Sequence, residues 1–311
     1  MISLPKVSVI IPNYNHAPYL RERIESVLNQ TYANFEVIIL DDCSQDNSRE
    51  VIAAFEGHPK VAVIEFNETN SGTTFKQWEK GISLANGEWI WIAESDDWCE
   101  PTLLENLVGN IDDACSVAFC QSVAVGNNGV CLWTGKADRM AERLAGDQFV
   151  HDKMLTGCTI FNASMSIFKK SYYLNISKEF TTFKFCGDWL FWILMLMQGD
   201  VFICGKYLNY FRKHDKDVSG KAFSSGLLYS EYLKLLGVLT EKKIINFGIK
   251  KDLVVKKYKE LMLDVRINDA VKSEMMGIYV KEIGYKILSK KNLDFLGKRI
   301  YVKTLLKFTS I

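Results

Sequence analysis

The first hundred residues repeat one unit: an apolar run, a polar cluster at its end, then apolar residues at helical spacing. Lys6-Val7-Ser8-Val9-Ile10-Ile11-Pro12 reads as a buried strand that stops at the turn-prone Asn13-Tyr14-Asn15. Tyr19 to Gln30 then carries Leu20, Ile24, Val27 and Leu28 on one helical face. Phe35 to Leu40 is the next strand, ending in Asp41-Asp42-Cys43-Ser44, and Ser48 to Phe55 the next helix. Val61 to Ile64, the helix Phe75 to Ala85 and the run Trp89 to Ala93 continue the series. Strands alternating with helices predict an α/β fold around a mostly parallel, doubly wound sheet. Ligands of such sheets sit beyond the C-terminal strand ends. Asn13-Tyr14-Asn15, Asp41-Asp42 and Glu94-Ser95-Asp96-Asp97 should therefore meet in one crevice.

Past residue 101 the alternation breaks down. Val117 to Cys120 and Ser164 to Phe168 read as strands, separated by a polar segment through Gly126-Asn127-Asn128-Gly129. Trp189 to Met197 reads as a helix that begins near Gly187-Asp188. Val201 to Cys204 and Tyr207 to Phe211 read as two short strands, and the pattern is helical from about Phe223. A boundary is expected in the charged, Gly- and Ser-rich stretch His214 to Ser225. The expected division is 1–222, with halves 1–110 and 111–222, followed by a basic helical region, 223–311.

With 311 residues, 48% of them hydrophobic, the chain can bury one large core or two smaller ones. Its net charge of +1 is unevenly spread. Seventeen Lys/Arg and eight Asp/Glu lie between Glu241 and Ile311, so the first 240 residues carry a net charge of −8. Eight cysteines at irregular spacing, without a Cys-x-x-C pair, read as buried core residues rather than a zinc site or disulfide framework. The start of the chain leads straight into a strand, and no apolar run approaches the roughly 20 residues that span a bilayer. A soluble, cytoplasmic protein is the expectation.

Three carboxylates packed into Glu94-Ser95-Asp96-Asp97 repel one another at the end of a buried strand. A divalent cation with a phosphate ligand would relieve that repulsion, and oxygen donors suit Mg2+ or Mn2+. The alternative is a helix N-cap, with Ser95 or Asp97 starting the helix that Glu100-Pro101-Thr102 introduces.

Val7 to Asn15, Leu28-Asn29-Gln30-Thr31-Tyr32, Leu40 to Ser48, and Gly87 to Ile92 followed by Glu94-Ser95-Asp96-Asp97 together resemble family 2 glycosyltransferases of the GT-A fold, a Rossmann-like architecture. The resemblance is strong over about residues 6 to 110 and looser to about 220. It implies that Pro12 and Tyr14 line a base pocket and that Asp42 accepts a hydrogen bond from the base, which favours uracil. Asp41 and Asp42 could equally be turn formers. The resemblance implies that Asp96 approaches the ribose and that Asp97 ligates Mn2+ or Mg2+. Two departures stand out. Glu94 occupies a position where many members have Asp, and Gln77-Trp78-Glu79 replaces an Ala-Arg-Asn sequence before Gly81. Lys76 is the substitute for that arginine as a diphosphate contact, with a solvated helix lysine as the alternative.

Gly187-Asp188-Trp189 sits where the family has its catalytic carboxylate, so Asp188 is the expected base for the acceptor hydroxyl, against the alternative of an N-cap. Phe211-Arg212-Lys213-His214 resembles the Arg-x-His segment of many relatives. There Arg212 would contact phosphate and His214 the metal or diphosphate. The resemblance implies an inverting transfer of a hexosyl or N-acetylhexosaminyl group from a nucleotide sugar, expected to be uridine-linked, to a saccharide or lipid-linked acceptor in surface-polysaccharide assembly. The basic region from Lys242 to Lys307 reads as solvated helices or as a segment peripheral to the inner face of the membrane, with Tyr301 to Phe308 its sharpest part. A non-catalytic nucleotide-sugar-binding module is the alternative function; it would keep Asp42 and Asp97 without needing Asp188. A dinucleotide oxidoreductase is disfavoured because no Gly-x-Gly-x-x-Gly follows the first strand, and a nucleic-acid partner because the crevice is acidic.

Overall fold

The computed structural model describes residues 4–214, 222 and 224–283. The chain divides into two compact units, Met1–Asp217 and Val218–Ile311. The first unit begins with β1 (Val7–Asn13), α1 (Ala17–Leu28), β2 (Phe35–Asp41), α2 (Ser48–Ala53), β3 (Val61–Phe66), α3 (Thr74–Leu84) and β4 (Trp89–Ile92). It continues through β5 (Trp98–Cys99), α4 (Leu103–Val108), β6 (Cys115–Gly126), β7 (Cys131–Thr134) and β8 (Ala141–Leu144). The short helix α5 (Gly146–Phe149), β9 (Ser166–Lys169), α6 (Lys170–Tyr173), α7 (Gly187–Leu196) and β10 (Asp200–Lys213) complete it.

One sheet runs through the unit in the order β3-β2-β1-β4-β9-β6-β10-β5, with β7 beside β6 and β8 beside β10. Its β3-β2-β1-β4 portion is parallel throughout. Beyond β4 the sheet is mixed: β9 is antiparallel to both neighbours, whereas β6 and β10 are parallel. All seven residues of β1 and all seven of β2 are buried, which explains their near-continuous apolar sequence. Each fully buried Ile or Val there contributes roughly 1.5–3 kcal/mol of transfer free energy.

Both faces of the sheet are covered. Val9 pairs with Trp91, and Arg23 of α1 lies over the Trp91 ring, so α1 covers that face. Ile10 points the other way, and a Cβ on Gly81 of α3 would come within 2.4 Å of its Cγ2. Only glycine lets α3 approach β1 so closely. Phe168, in register with Ile90, packs on Phe191 of α7, so α7 shares the α3 face.

Several sequence expectations change. The two short strands at 201–211 are one strand, β10, with register shifts against β6 between Ile203 and Asn209. Gly205 lies at that break, where an added Cβ would meet the Arg139 carbonyl oxygen at 2.3 Å. The polar segment at 126–129 is the tight turn between β6 and β7. No helix starts at the acidic cluster. Trp98–Cys99 forms an edge strand, α4 begins at Leu103, and neither Ser95 nor Asp97 caps it.

In the second unit, α8 (Leu227–Glu241), α9 (Phe247–Leu263) and α10 (Asp269–Ile283) are tied by buried polar bonds. Tyr229 Oη donates to Asp264 Oδ2 at 2.9 Å, and Tyr279 Oη donates to the Tyr229 carbonyl at 2.8 Å. Helix α9 buries Leu253, Val254, Tyr258, Leu261 and Met262 and turns Lys251 and Lys259 outward or to the rim, as amphipathic helices do. Among the described residues, no helix is long and apolar enough to cross a membrane. Tyr301 to Phe308 lies outside the described residues.

Candidate active site

The three polar clusters at the ends of β1, β2 and β4 meet. Asn13 Nδ2 donates to Asp41 Oδ1 at 2.7 Å, and Ser44 Oγ donates to the same oxygen at 2.6 Å. The Ser44 N–H donates to Asp41 Oδ2, so Asp41 is a turn-former that closes the β2 loop. Asn15, at φ 58°, sits in the left-handed region that asparagine tolerates, and its Oδ1 accepts the Gln45 N–H. His16 follows, and its Nδ1 lies 2.8 Å from Ser95 Oγ in the acidic loop.

Asp42 is 5% exposed and its carboxylate is densely hydrogen-bonded. Oδ1 accepts from Asn67 Nδ2 at 2.6 Å, the Ser71 N–H at 2.9 Å and Gln77 Nε2 at 2.9 Å, while Oδ2 accepts from Ser71 Oγ at 2.8 Å. Oδ2 therefore retains more acceptor capacity than Oδ1. Pro12 is buried in β1, whereas the Tyr14 ring is 46% exposed, as a platform for a flat ligand would be. Lys76 is exposed on α3, with its ammonium folded onto the Ser71 carbonyl at 2.9 Å. It lines a cavity of about 540 Å3 together with Asn67, Ser71 and Lys80.

The Gln77-Trp78 pair is wired to two strand ends. Gln77 serves Asp42, and Trp78 Nε1 donates to Glu94 Oε1 at 2.9 Å. What the sequence presents as a missing arginine is thus a different polar link between α3 and the two acidic clusters. Burial, with the charges of Asp96 and Asp97 beside it, pushes the Glu94 carboxyl up to about 8, so it is mostly protonated at neutral pH.

Asp96 and Asp97 part company. Asp97 is fully buried: Oδ2 accepts from Asn162 Nδ2 at 2.7 Å and Ser164 Oγ at 2.6 Å, and Oδ1 accepts the Arg212 N–H at 3.1 Å. Burial and the neighbouring Asp96 raise its carboxyl to about 6. Asp97 thus fastens the end of β10 to the acidic loop. Asp96 points the other way, with Oδ2 3.1 Å from His214 Nε2. Burial works against its charge, but the His214 hydrogen bond and the His16 and His214 rings outweigh that and hold its carboxyl below the ordinary range. Among the described residues, His16, Asp96 and His214 bring three ligand atoms within 4.8 Å of one another. Two imidazoles and a carboxylate are a chemically sound donor set for a divalent cation. Asp97, the expected ligand, is not in that cluster, and its oxygens accept from Asn162, Ser164 and the Arg212 N–H.

Arg212 also differs from expectation. Its guanidinium lies 4.7 Å from the Tyr19 ring centroid and 4.4 Å from that of Trp98. Nε donates to the Asp96 carbonyl at 2.9 Å and Nη2 to Glu22 at 2.6 Å. Tyr19 in turn stacks on His214 at 5.3 Å, and Trp98 on Tyr210 at 5.0 Å. The stack holds the end of β10 and orients the His214 ring against Asp96. A second arginine, Arg23, is fully buried on α1, with Nε donating to the Glu94 carbonyl at 3.0 Å and, among the described residues, no hydrogen-bond partner for either terminal nitrogen. An isolated buried charge is costly, and the carboxylate of Asp97 supplies its counter-field.

Asp188 is half-buried in the first turn of α7, and its Oδ1 accepts the Trp189 N–H at 2.7 Å. Cys186, not Asp188, occupies the N-cap position. A Cβ on Gly187 would fall 2.4 Å from Phe75 and 2.6 Å from the Phe180 carbonyl, so glycine is what lets α7 start against α3. Phe75 is the second residue of α3, four residues from the Ser71 that binds Asp42. The sequence assigns no site role to His16, Arg23 or Tyr19 and shows Gln77 and Trp78 only as a departure, because none stands in a motif whose spacing assigns it a partner.

Residues 8–175 match the profile described as Glycosyl transferase family 2. Glycosyltransferase GlyG of Streptococcus pneumoniae is 39% identical over 108 residues, which are 34% of this chain and 35% of GlyG. An uncharacterized glycosyltransferase of Rickettsia typhi is 29% identical over 242 residues, covering 75% of this chain and 73% of that protein. The poly(ribitol-phosphate) β-N-acetylglucosaminyltransferase TarS of Staphylococcus aureus is 32% identical over 110 residues, covering 35% of this chain and 19% of TarS. A crystal structure of TarS in complex with UDP-GlcNAc has a TM-score of 0.66 at 17% identity, covering 91% of this chain and 83% of that one, a likeness of fold. The chain thus spans about a third of GlyG and about a fifth of TarS in the sequence matches.

Proposed function

Because the chain belongs to glycosyltransferase family 2, we propose that it moves a sugar, with inversion, from a UDP-linked donor to an acceptor hydroxyl in the assembly of a surface polysaccharide. The observation that carries the reading is that Asp42, at the end of β2, and Asp96, in the loop after β4 and hydrogen-bonded to His214, both lie at the C-terminal edge of the parallel strands, where doubly wound sheets bind ligands. The UDP-GlcNAc held by TarS supports a uridine nucleotide, and an N-acetylhexosaminyl group is the first donor to try.

In this reading Tyr14 packs on the base, and Asp42 accepts the base N–H at Oδ2, where acceptor capacity remains. Asp96 and His214 hold a divalent cation against the diphosphate, rather than Asp97, which stays an internal anchor. Such a cation supplies stabilisation of the negative charge on the departing diphosphate. Lys76 turns from the Ser71 carbonyl to a phosphate oxygen. Arg212 acts at one remove, by fixing the end of β10. Asp188 takes the proton of the attacking hydroxyl. The basic second unit offers a surface attracted to anionic lipid, which suits a lipid-linked acceptor at the inner face of the membrane.

The test is a screen of UDP, GDP and dTDP sugars with Mn2+, reading binding by calorimetry and turnover by nucleotide release. One UDP sugar should bind and be consumed, and Asp188→Asn should abolish turnover while donor affinity stays within a few fold. Binding without turnover in the wild-type protein, given several acceptors, would favour a non-catalytic sugar-nucleotide module.

A further inference from the structure

We infer that His16 joins Asp96 and His214 in a two-imidazole, one-carboxylate site that takes a first-row transition ion such as Mn2+ in strong preference to Mg2+. The inference rests on the reading of this crevice as a diphosphate site and narrows it.

Three observations carry it. The ligand atoms of His16, Asp96 and His214 already lie within 4.8 Å of one another, although the three residues come from the β1–α1 turn, the loop after β4 and the end of β10. Each imidazole is oriented from outside the cluster. His16 Nδ1 meets Ser95 Oγ at 2.8 Å, and the His214 ring stacks on Tyr19. Partners of this kind fix ring orientation in metal sites. The two rings meet edge to face at 5.6 Å, and both line a cavity of about 440 Å3 with Asn15, Tyr19 and Asp46, which leaves room for phosphate oxygens.

Donor chemistry then decides between cations. Mg2+ takes oxygen ligands and gives up water reluctantly, so a site with two nitrogens among three protein donors suits it poorly. Imidazole nitrogen suits the later first-row divalent ions, with affinity rising from Mn2+ through Co2+ to Ni2+, so Mn2+ is the weakest binder of that series and Mg2+ lies outside it. Ser95 gains a role as well, as the residue that aims His16, so Glu94-Ser95-Asp96-Asp97 supplies one ligand and one orienting hydroxyl.

The test uses the full chain and the metal alone, then the metal with UDP. Electron paramagnetic resonance follows the loss of free aqueous Mn2+, and pulsed measurements on the bound ion count coordinated imidazole nitrogens. Wild-type protein should bind Mn2+ with two imidazoles, and Mg2+ should compete only at far higher concentration. His16→Gln should weaken Mn2+ by about tenfold or more and leave one imidazole, and Ser95→Ala should weaken it less, on the scale by which orienting partners tune metal sites. Thermal melting checks that both variants fold; should His16→Gln not fold, the wild-type imidazole count and the Mn2+ over Mg2+ order still decide. One imidazole in wild type, equal binding of Mn2+ and Mg2+, no Mn2+ binding with or without UDP, or a folded His16→Gln that binds as wild type would each overturn the inference. Mn2+ bound through two imidazoles without any UDP binding would instead keep this site and refute the uridine-donor reading.

Discussion

The adjacent residues Asp96 and Asp97 occupy opposite sides of one loop and do different work. Asp97 belongs to an internal network of Asn162, Ser164 and the Arg212 backbone, with each oxygen already accepting. Asp96 faces two imidazoles, both of which line a cavity. Asp41 and Asp42 differ by partner as well: Asp41 accepts from Asn13 and Ser44 where β1 and β2 end, and Asp42 from Asn67, Ser71 and Gln77. What separates Asp96 from Asp97 is therefore the kind of partner, two imidazoles against an internal amide, hydroxyl and backbone N–H, which charge and spacing do not reveal.

The largest expected effect of breaking that contrast is on turnover. Asp96→Asn should lower transfer about 10²–10³-fold, the scale of removing one group that stabilises developing charge, with the melting temperature nearly unchanged. Asp97→Ala should act on the fold instead. It leaves the Asn162 amide, the Ser164 hydroxyl and the Arg212 N–H without their acceptor, and urea denaturation should register a loss of about 3 kcal/mol. Unchanged stability with lost metal binding would reverse the two roles. Gln77→Leu removes one donor from Asp42 and should cost about 1–2 kcal/mol of stability and raise the donor KM several fold, with kcat little changed.

A further effect is a pH dependence. Glu94 holds its proton up to about 8 in the folded chain, against an ordinary value of 4.5, so the folded state binds more protons across that window. Stability must therefore fall as pH rises from 4.5 towards 8. Glu94→Gln has no proton to lose. Its melting temperature should exceed that of wild type at the upper end of the window and approach it at the lower end, in the absence of metal. Parallel curves for the two proteins would remove Glu94 from the account.

The parallel half of the fold was legible because burial on both faces leaves β1, β2 and β4 as apolar runs that end at polar clusters. Strand β10 was not, since Gly205 and Lys206 interrupt it where the chain bulges past Arg139. The acidic loop could be recognised as a site, but the orientation of its members could not. Which carboxylate turns inward depends on Arg212, more than a hundred residues away in sequence. His16 was invisible for the same reason, because its partners Ser95 and His214 are brought to it by the sheet order β1-β4-β9-β6-β10. Gln77 and Trp78 read as a lost arginine because a sequence compared with a motif reveals what is absent, not the hydrogen bonds that the replacement makes.

The central claim is that Asp96, and not Asp97, links the chain to the donor diphosphate through a cation. Calorimetry of UDP binding to wild-type and Asp96→Asn protein, with and without Mn2+, tests it most directly. The account predicts that Mn2+ strengthens UDP binding to wild type by about tenfold or more and leaves Asp96→Asn unaffected. An equal Mn2+ enhancement in both proteins would contradict it.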